Sequence, residues 1–270
     1  MSETYTVGIV GLGAIGMQLA RALDAGVPGL KLAAVAVRDR DKAVAAMKGF
    51  NDRPLVLDIA KLPRECDIIV EAAPASAFQE IATTAVEAGC IFVPSSCGQL
   101  LSHMDLVERA KETGARIIVP TGALLGLDAV RAAAEGEVSS VTIRSAKPPR
   151  GLAGAPFLVE NNLDMDKVTE RTRIFAGNVH DAIRGFPANV NVAAALALAG
   201  IGPDRTQVEV WADPALDRNT HTIVVDAAAA RLTMTIENVP TETNPRTGKI
   251  TALSILACLR GLTSTLKVGS

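Results

Sequence analysis

The sequence has few aromatic residues and almost no excess of charge, and these shortages exclude several classes of protein. Aromatic residues make up 3% of the 270 residues, with one tryptophan. Proteins that bind single-stranded nucleic acid stack bases on aromatic side chains, so this composition argues against them. The 27 basic and 29 acidic residues leave a net charge of −2, without the positive excess that nucleic acid or anionic lipid attracts. We therefore expect no nucleic-acid partner.

Long apolar runs and paired cysteines are also scarce. The longest apolar run, Val192 to Ile201, has about half of the roughly 20 residues that a membrane-spanning helix needs. The first residues lack the basic segment of a signal peptide. The four cysteines show no metal-ligand spacing, and Cys66, Cys90 and Cys258 stand among apolar neighbours, as buried thiols do. The sequence predicts a reduced, cytoplasmic protein with no membrane partner and no metal site.

Aliphatic residues are abundant, and in the first half they alternate between strand-like and helix-like spacing. Six short strands are predicted, over residues 5–10, 30–37, 55–57, 67–71, 90–94 and 116–119. Amphipathic helices are predicted between them, over residues 15–25, 40–48, 75–88 and 100–113. This alternation predicts an α/β fold, with a Rossmann-type doubly wound parallel sheet over residues 1–120.

The pattern changes near residue 120. Longer, more alternating strands are predicted over residues 138–145, 206–212, 221–227 and 231–237. Helices are predicted over residues 124–134, 178–184 and 190–199. These elements predict a second, α+β domain over residues 121–249, with a mostly antiparallel sheet, for substrate binding and dimerisation. Residues 250–270 are predicted to hold a C-terminal helix, with its packing against the first domain left open.

A glycine motif follows the first predicted strand and opens the first predicted helix. Gly11 permits a tight turn, Gly13 lets the backbone approach a pyrophosphate, and Gly16 lets the helix pack closely on the strand. The helix N-terminus, at Ala14 and Ile15, offers N–H groups to the phosphates. This context favours a dinucleotide site formed by these five residues over a glycine turn without a ligand.

The end of the second predicted strand leaves the choice of cofactor open. Asp39 suits the ribose 2′-hydroxyl of NAD, whereas Arg38 or Arg40 suits the 2′-phosphate of NADP. A solvated charged turn explains the same residues equally well. We therefore predict NAD or NADP, with Arg38 and Asp39 as the candidate contacts.

Small and polar residues follow the later strands of the first half, at residues 71–74, 94–98 and 120–123. Open α/β sheets bind ligands at the carboxyl ends of their strands. We therefore add Ala72, Ala73 and Ser96 to the predicted cofactor contacts, with ordinary turn chemistry as the alternative.

The second half places polar residues among apolar ones. Lys147 ends a strand before two prolines, where a cation can face an anionic substrate. Asn189 and Asn191 precede a very apolar helix, and a helix cap would explain only one of them. Asn219 and His221 open a strand, where a lone histidine is more often structural than catalytic.

Taken together, these segments resemble the L-aspartate dehydrogenase family over essentially the whole chain. The resemblance rests on the glycine motif and on residues 95–98, 120–128, 147–149, 186–193, 217–221 and 237–245. The segments FPANVNVA and RNTH, in this order, are its most specific part. The resemblance implies a homodimeric enzyme that converts L-aspartate and NAD(P)⁺ to iminoaspartate, then to oxaloacetate and ammonia, at the start of NAD biosynthesis.

The resemblance also implies roles for individual residues. The positions that match Ala123 and Asn189 bind the cofactor in the family, and the one that matches His221 is the catalytic acid–base. A dicarboxylate needs cationic or amide donors, so Lys147, Asn191 and Asn219 are the predicted substrate contacts. Two alternatives remain, namely a reductase of the same architecture acting on another small dicarboxylate or semialdehyde, and a non-catalytic NAD(P)-binding sensor.

Overall fold

A computed structural model describes residues 4–187, 190–242 and 248–269. The chain divides into two compact units. The first contains the residues up to Pro120 together with Thr251–Val268, and the second contains Thr121–Ile250. Within the described residues, no helix is both long enough and apolar enough to cross a bilayer.

The first unit is built on a six-stranded parallel sheet. Its strands are β1 (Tyr5–Val10), β2 (Leu30–Ala36), β3 (Leu55–Leu57), β4 (Ile68–Glu71), β5 (Ile91–Pro94) and β6 (Arg116–Ile117). They lie in the order β3-β2-β1-β4-β5-β6, which is the order of a doubly wound dinucleotide-binding sheet. The predicted Rossmann-type fold is confirmed.

Helices connect these strands. They are α1 (Ala14–Asp24), α2 (Arg40–Ala46), α3 (Phe78–Glu87), α4 (Cys97–Leu100) and α5 (Asp105–Thr113). The prediction of one helix over residues 100–113 is wrong. Beyond Leu100 the N–H groups of Ser102 and His103 bond to carbonyls three residues back, which ends the α-helical ladder before α5 starts.

One core fills the first unit. Val7 and Ile9 of β1 are buried in it, as is the inner face of the C-terminal helix of the chain, Ile250–Thr263. That helix contributes Ala252, Ile255 and Leu259, whose spacing of three and four residues forms one helical stripe. Cys258 lies at the edge of this stripe and is only half-buried, so the expectation of a buried thiol there is wrong; Cys97 is buried instead.

The second unit is built on a five-stranded mixed sheet. Its strands are β7 (Val138–Lys147), β8 (Thr172–Asn178), β9 (Thr206–Ala212), β10 (Asn219–Ala227) and β11 (Arg231–Asn238), in the order β11-β10-β7-β9-β8. Its helices are α6 (Leu127–Ala134), α7 (Pro156–Glu160), α8 (Val179–Gly185) and α9 (Asn191–Ala199). The C-terminal helix described above, Ile250–Thr263, is therefore numbered α10. The β7–β9 pair is parallel and the other pairs are antiparallel. The predicted α+β character is confirmed.

Strand β8 was not among the predicted strands. It lies at the edge of the sheet, and Phe175 is its one buried residue. An edge strand with so little buried surface lacks the regular alternation by which the other strands are recognised.

Candidate active site

The glycine motif makes a cradle at the N-terminus of α1. A Cβ on Gly11, whose φ is 91°, would lie 2.5 Å from the carbonyl oxygen of Ala72. A Cβ on Gly16 would lie 1.9 Å from the carbonyl oxygen of Gly11. These two positions are therefore required to be glycine by the packing of the chain on itself.

Gly13 differs from its neighbours, because a Cβ there would meet nothing within 4 Å. It is the N-cap of α1, with no side-chain cap bond and no acidic residue in the first turn. The first-turn N–H groups, at Ala14, Ile15 and Gly16, have no acceptor within the helix. Open space in front of free N–H groups is what a pyrophosphate needs, so these residues fit a dinucleotide.

The charged turn after β2 has a structural task of its own. The Asp39 carboxylate accepts a hydrogen bond from the backbone N–H of Lys42, at 3.0 Å, and thereby caps α2. Arg40 pairs with Asp58 at the surface, and this pair lowers the pKa of the Asp58 carboxyl. Arg38 is exposed. The cap accounts for Asp39 without a cofactor, so the geometry does not choose between NAD and NADP.

The turns after β4 and β5 are joined by a buried carboxylate, that of Glu71. Its side chain is 0% exposed. It accepts hydrogen bonds from the backbone N–H groups of Ala73 and Ser96, at 3.1 and 2.8 Å. Two predicted cofactor contacts, Ala73 and Ser96, are thus held together by a residue that sequence reasoning did not select. The available signal was an acidic residue closing the apolar run Ile68–Glu71.

In the second unit, Ala123 is held by a side chain from the end of β11. The Asn238 Nδ2 donates to the Ala123 carbonyl oxygen at 3.0 Å. Asn238 is buried, and its Oδ1 has no hydrogen-bond partner among the described residues. Asn238 lies in a segment on which the family resemblance rests, but the resemblance implies no role for it. Its contact with Ala123, 115 positions away, could not be predicted from the sequence.

His221 lies on a buried face of the five-stranded sheet. It is paired with Ser145 in the β10–β7 register, and the pair that follows on this face is Ile223 with Ile143. The Ser145 Oγ lies 2.8 Å from the His221 Nδ1, and both residues are buried. Lys147, two residues beyond Ser145 on the same face, is also buried. The apolar face therefore ends in a histidine, a hydroxyl and a cation.

Burial determines the ionisation of this histidine. Burial and, to a smaller extent, the positive charge of Lys147 together lower the pKa of His221 from 6.5 to about 3. An unperturbed histidine titrates near pH 6.5, where an acid–base residue usually works, and His221 departs from this. His221 is a neutral imidazole at neutral pH.

The remaining predicted residues are placed less uniformly. Asn219 is half-buried at the start of β10 and shares the face of His221. Asn191 is the first residue of α9 and is exposed. The N-cap of α9 is Val190, so capping does not explain Asn191. Asn189 lies outside the described residues.

Two known families match the chain, and their matches meet near residue 120, where the second unit begins. The sequence profile of a family described as "Aspartate dehydrogenase, C-terminal" matches residues 128–262. A second profile, described as "Homoserine dehydrogenase, NAD binding domain", matches residues 11–120.

Individual relatives match over nearly their full length. The chain is 52% identical to an L-aspartate dehydrogenase of Bradyrhizobium diazoefficiens, covering 100% of this chain and 95% of the relative. It is 49% identical to L-aspartate dehydrogenase 3 of Bordetella bronchiseptica, covering 99% and 98%.

A solved structure has the same fold along its whole length. This is an aspartate dehydrogenase of Thermotoga maritima, with a TM-score of 0.76, 26% identity, and coverage of 99% of this chain and 100% of that one. A homoserine dehydrogenase of Thiobacillus denitrificans, 15% identical with a TM-score of 0.63 over 97% of this chain and 74% of its own, shows the fold alone.

Proposed function

The chain belongs to the L-aspartate dehydrogenase family, and from this we propose that it catalyses the NAD(P)-dependent oxidative deamination of L-aspartate. The product iminoaspartate is then hydrolysed to oxaloacetate and ammonia. The observation that carries the proposal is the buried group of Lys147, Ser145 and His221 on one sheet face. These residues supply a cation for a carboxylate and a ring nitrogen for proton transfer.

Lys147 is the proposed carboxylate contact. Lysine is seldom buried, and Lys147, at 5% exposed, brings a cation to the buried face that carries His221. L-aspartate carries two carboxylates, so a buried cation favours it over a neutral amino acid. Asn219, at the start of the same strand as His221, is proposed as a second polar contact.

His221 is the proposed acid–base residue. Its Nδ1 is bonded to Ser145, which leaves Nε2 as the ring nitrogen that exchanges a proton with the substrate. If the Ser145 hydroxyl accepts from Nδ1–H, Nε2 carries the lone pair that a base needs. The amine must lose a proton before hydride leaves Cα, and the water that attacks the imine must lose one later. When bound, NAD(P)⁺ would supply the hydride acceptor.

The cradle at Gly13 and the turns holding Ala73 and Ser96 are the proposed cofactor contacts of the first unit. Ala123 and Asn189 are proposed as contacts through the family resemblance. Four finer predictions extend the proposal: use of NADP as well as NAD, a homodimer, a cytoplasmic location, and a supply of iminoaspartate to NAD biosynthesis.

A steady-state assay tests the proposal. L-aspartate should give turnover with NAD⁺ and NADP⁺, while aspartate semialdehyde with NADH or NADPH, and homoserine with NAD⁺ or NADP⁺, should give little. His221→Ala should lower kcat roughly 10²–10⁴-fold, the usual size of an acid–base contribution, with NAD(P)H binding retained. Binding of NAD(P)H without turnover of L-aspartate would favour the sensor alternative, and preferred turnover of a semialdehyde would favour the reductase.

A further inference from the structure

We propose that Glu71 is a positioning residue of the dinucleotide site, because its buried carboxylate holds the turn after β4 and the turn after β5 in place for the cofactor. The proposal rests on dinucleotide binding by the first unit, and not on the identity of the substrate. Glu71 is the only acidic side chain that is buried among the described residues. The proton chemistry proposed above does not use it.

Both turns donate to the same carboxylate. The Glu71 Oε1 accepts from the Ala73 N–H at 3.1 Å and from the Ser96 hydroxyl at 3.2 Å. The Oε2 accepts from the Ser96 N–H at 2.8 Å. The backbone carbonyl of Glu71 accepts from the Ser95 N–H at 3.0 Å and also from the Ser95 hydroxyl. The Glu71 side chain therefore extends the connection between β4 and β5 beyond the ends of these strands, into the turns that follow them.

The turn after β4 also touches the glycine motif. The Ala72 carbonyl oxygen lies only 2.5 Å from the position that a Cβ on Gly11 would take. The Ala72 N–H donates to the carbonyl oxygen of Val10, at 2.9 Å. A shift of this turn is therefore transmitted to the loop that leads into Gly13. Through this contact Glu71 affects the pyrophosphate cradle as well as its own two turns.

The fold alone does not call for a carboxylate at this position. The first three residues of β4, Ile68–Val70, are apolar and buried. An apolar residue in place of Glu71 would continue this core. Burial raises the pKa of Glu71, which expresses the cost of holding a charge there, and the bonds from Ser96 and Ala73 oppose that rise. An apolar replacement would leave the N–H groups of both turns without this acceptor. The carboxylate thus serves the geometry of the turns.

The test measures cofactor binding directly. Glu71→Gln keeps the size of the side chain but places an amide N–H₂ against one of the donors. We expect the Kd for NADH and NADPH, followed by fluorescence of the reduced cofactor, to rise about tenfold. The KM for the dinucleotide should rise similarly, with kcat at saturating cofactor within about threefold of the parent. Glu80→Gln, an exposed position on α3, removes the same charge and should leave Kd unchanged.

Ser96→Ala provides a second, milder variant, which removes only the hydroxyl bond to Oε1. We expect it to raise Kd about threefold. The double variant should lose less than the product of the two single losses, because both act on one link. A parental Kd in folded Glu71→Gln would overturn the proposal. If Glu71→Gln does not fold, a parental Kd in Ser96→Ala would overturn it. NAD(P)H binding that responds as expected, without any turnover of L-aspartate, would reject the proposed function and leave this inference standing.

Discussion

The pKa of His221 is the property of the candidate site that is most directly measurable. Burial, reinforced by the charge of Lys147, lowers this pKa from 6.5 to about 3. At pH 7 roughly one molecule in 10⁴ would then carry a protonated ring. We expect the His221 ring signal in an NMR titration to stay constant between about pH 8 and about pH 5. The chain has three histidines, so His221→Asn assigns the signal by its loss.

The same shift determines how pH changes the free energy of unfolding. The unfolded chain protonates His221 near pH 6.5, whereas the folded chain does so only near pH 3. Between these values the unfolded state binds one more proton, so His221 lowers the free energy of unfolding by about 1.4 kcal/mol for each pH unit of acidification. The stability that depends on a neutral His221 is fully present above pH 6.5 and is lost as pH falls below that value. From pH 6.5 to pH 5 the loss is about 2 kcal/mol.

The assay compares the parent with His221→Asn, which keeps a polar group beside Ser145 but does not titrate. Urea unfolding at about pH 7, 6 and 5 should show a steeper loss of stability in the parent, by about 2 kcal/mol over the series. Equal pH dependence in the two proteins would refute the burial argument. A His221 signal that titrates near its ordinary pKa would refute it independently.

Two further predictions concern the cofactor. Gly13→Val places a branched side chain in the open space before α1, so NAD(P)H binding should weaken at least tenfold with an unchanged Tm; parental binding would show that the cradle is not the phosphate site. Arg38→Ala should lower the ratio of kcat/KM for NADP⁺ to that for NAD⁺, because an exposed guanidinium suits a 2′-phosphate. An unchanged ratio would remove Arg38 from the cofactor site.

The elements that local pattern predicts are those with strong alternation or strong helical periodicity. Strands β1, β3 and β9 begin and end at the predicted residues, since each is bounded by turn residues that the sequence displays. The helix predicted over residues 100–113 was divided by a turn that its apolar spacing does not reveal. Local pattern therefore identifies elements well and interruptions poorly.

The site shows the limit of this reasoning more clearly. His221 was selected from its own strand and from the family resemblance, but Ser145 was not, because the two are 76 positions apart. Only the register of β10 on β7 brings them together. Glu71 and Ser96 are 25 positions apart and meet because β4 and β5 are neighbours. Residue type suggests which side chains can do chemistry, whereas pairing between distant strands decides which of them meet.

The low pKa of His221 also bears on the proposed reaction. A neutral imidazole has the lone pair that a base needs, but a pKa of about 3 makes it a weak base. Part of that weakness comes from the positive charge of Lys147. In the proposed reaction a substrate carboxylate beside Lys147 offsets this charge, so the basicity of His221 rises when the substrate is present. In this proposal Lys147 both binds the substrate and makes proton transfer by His221 depend on the presence of the substrate.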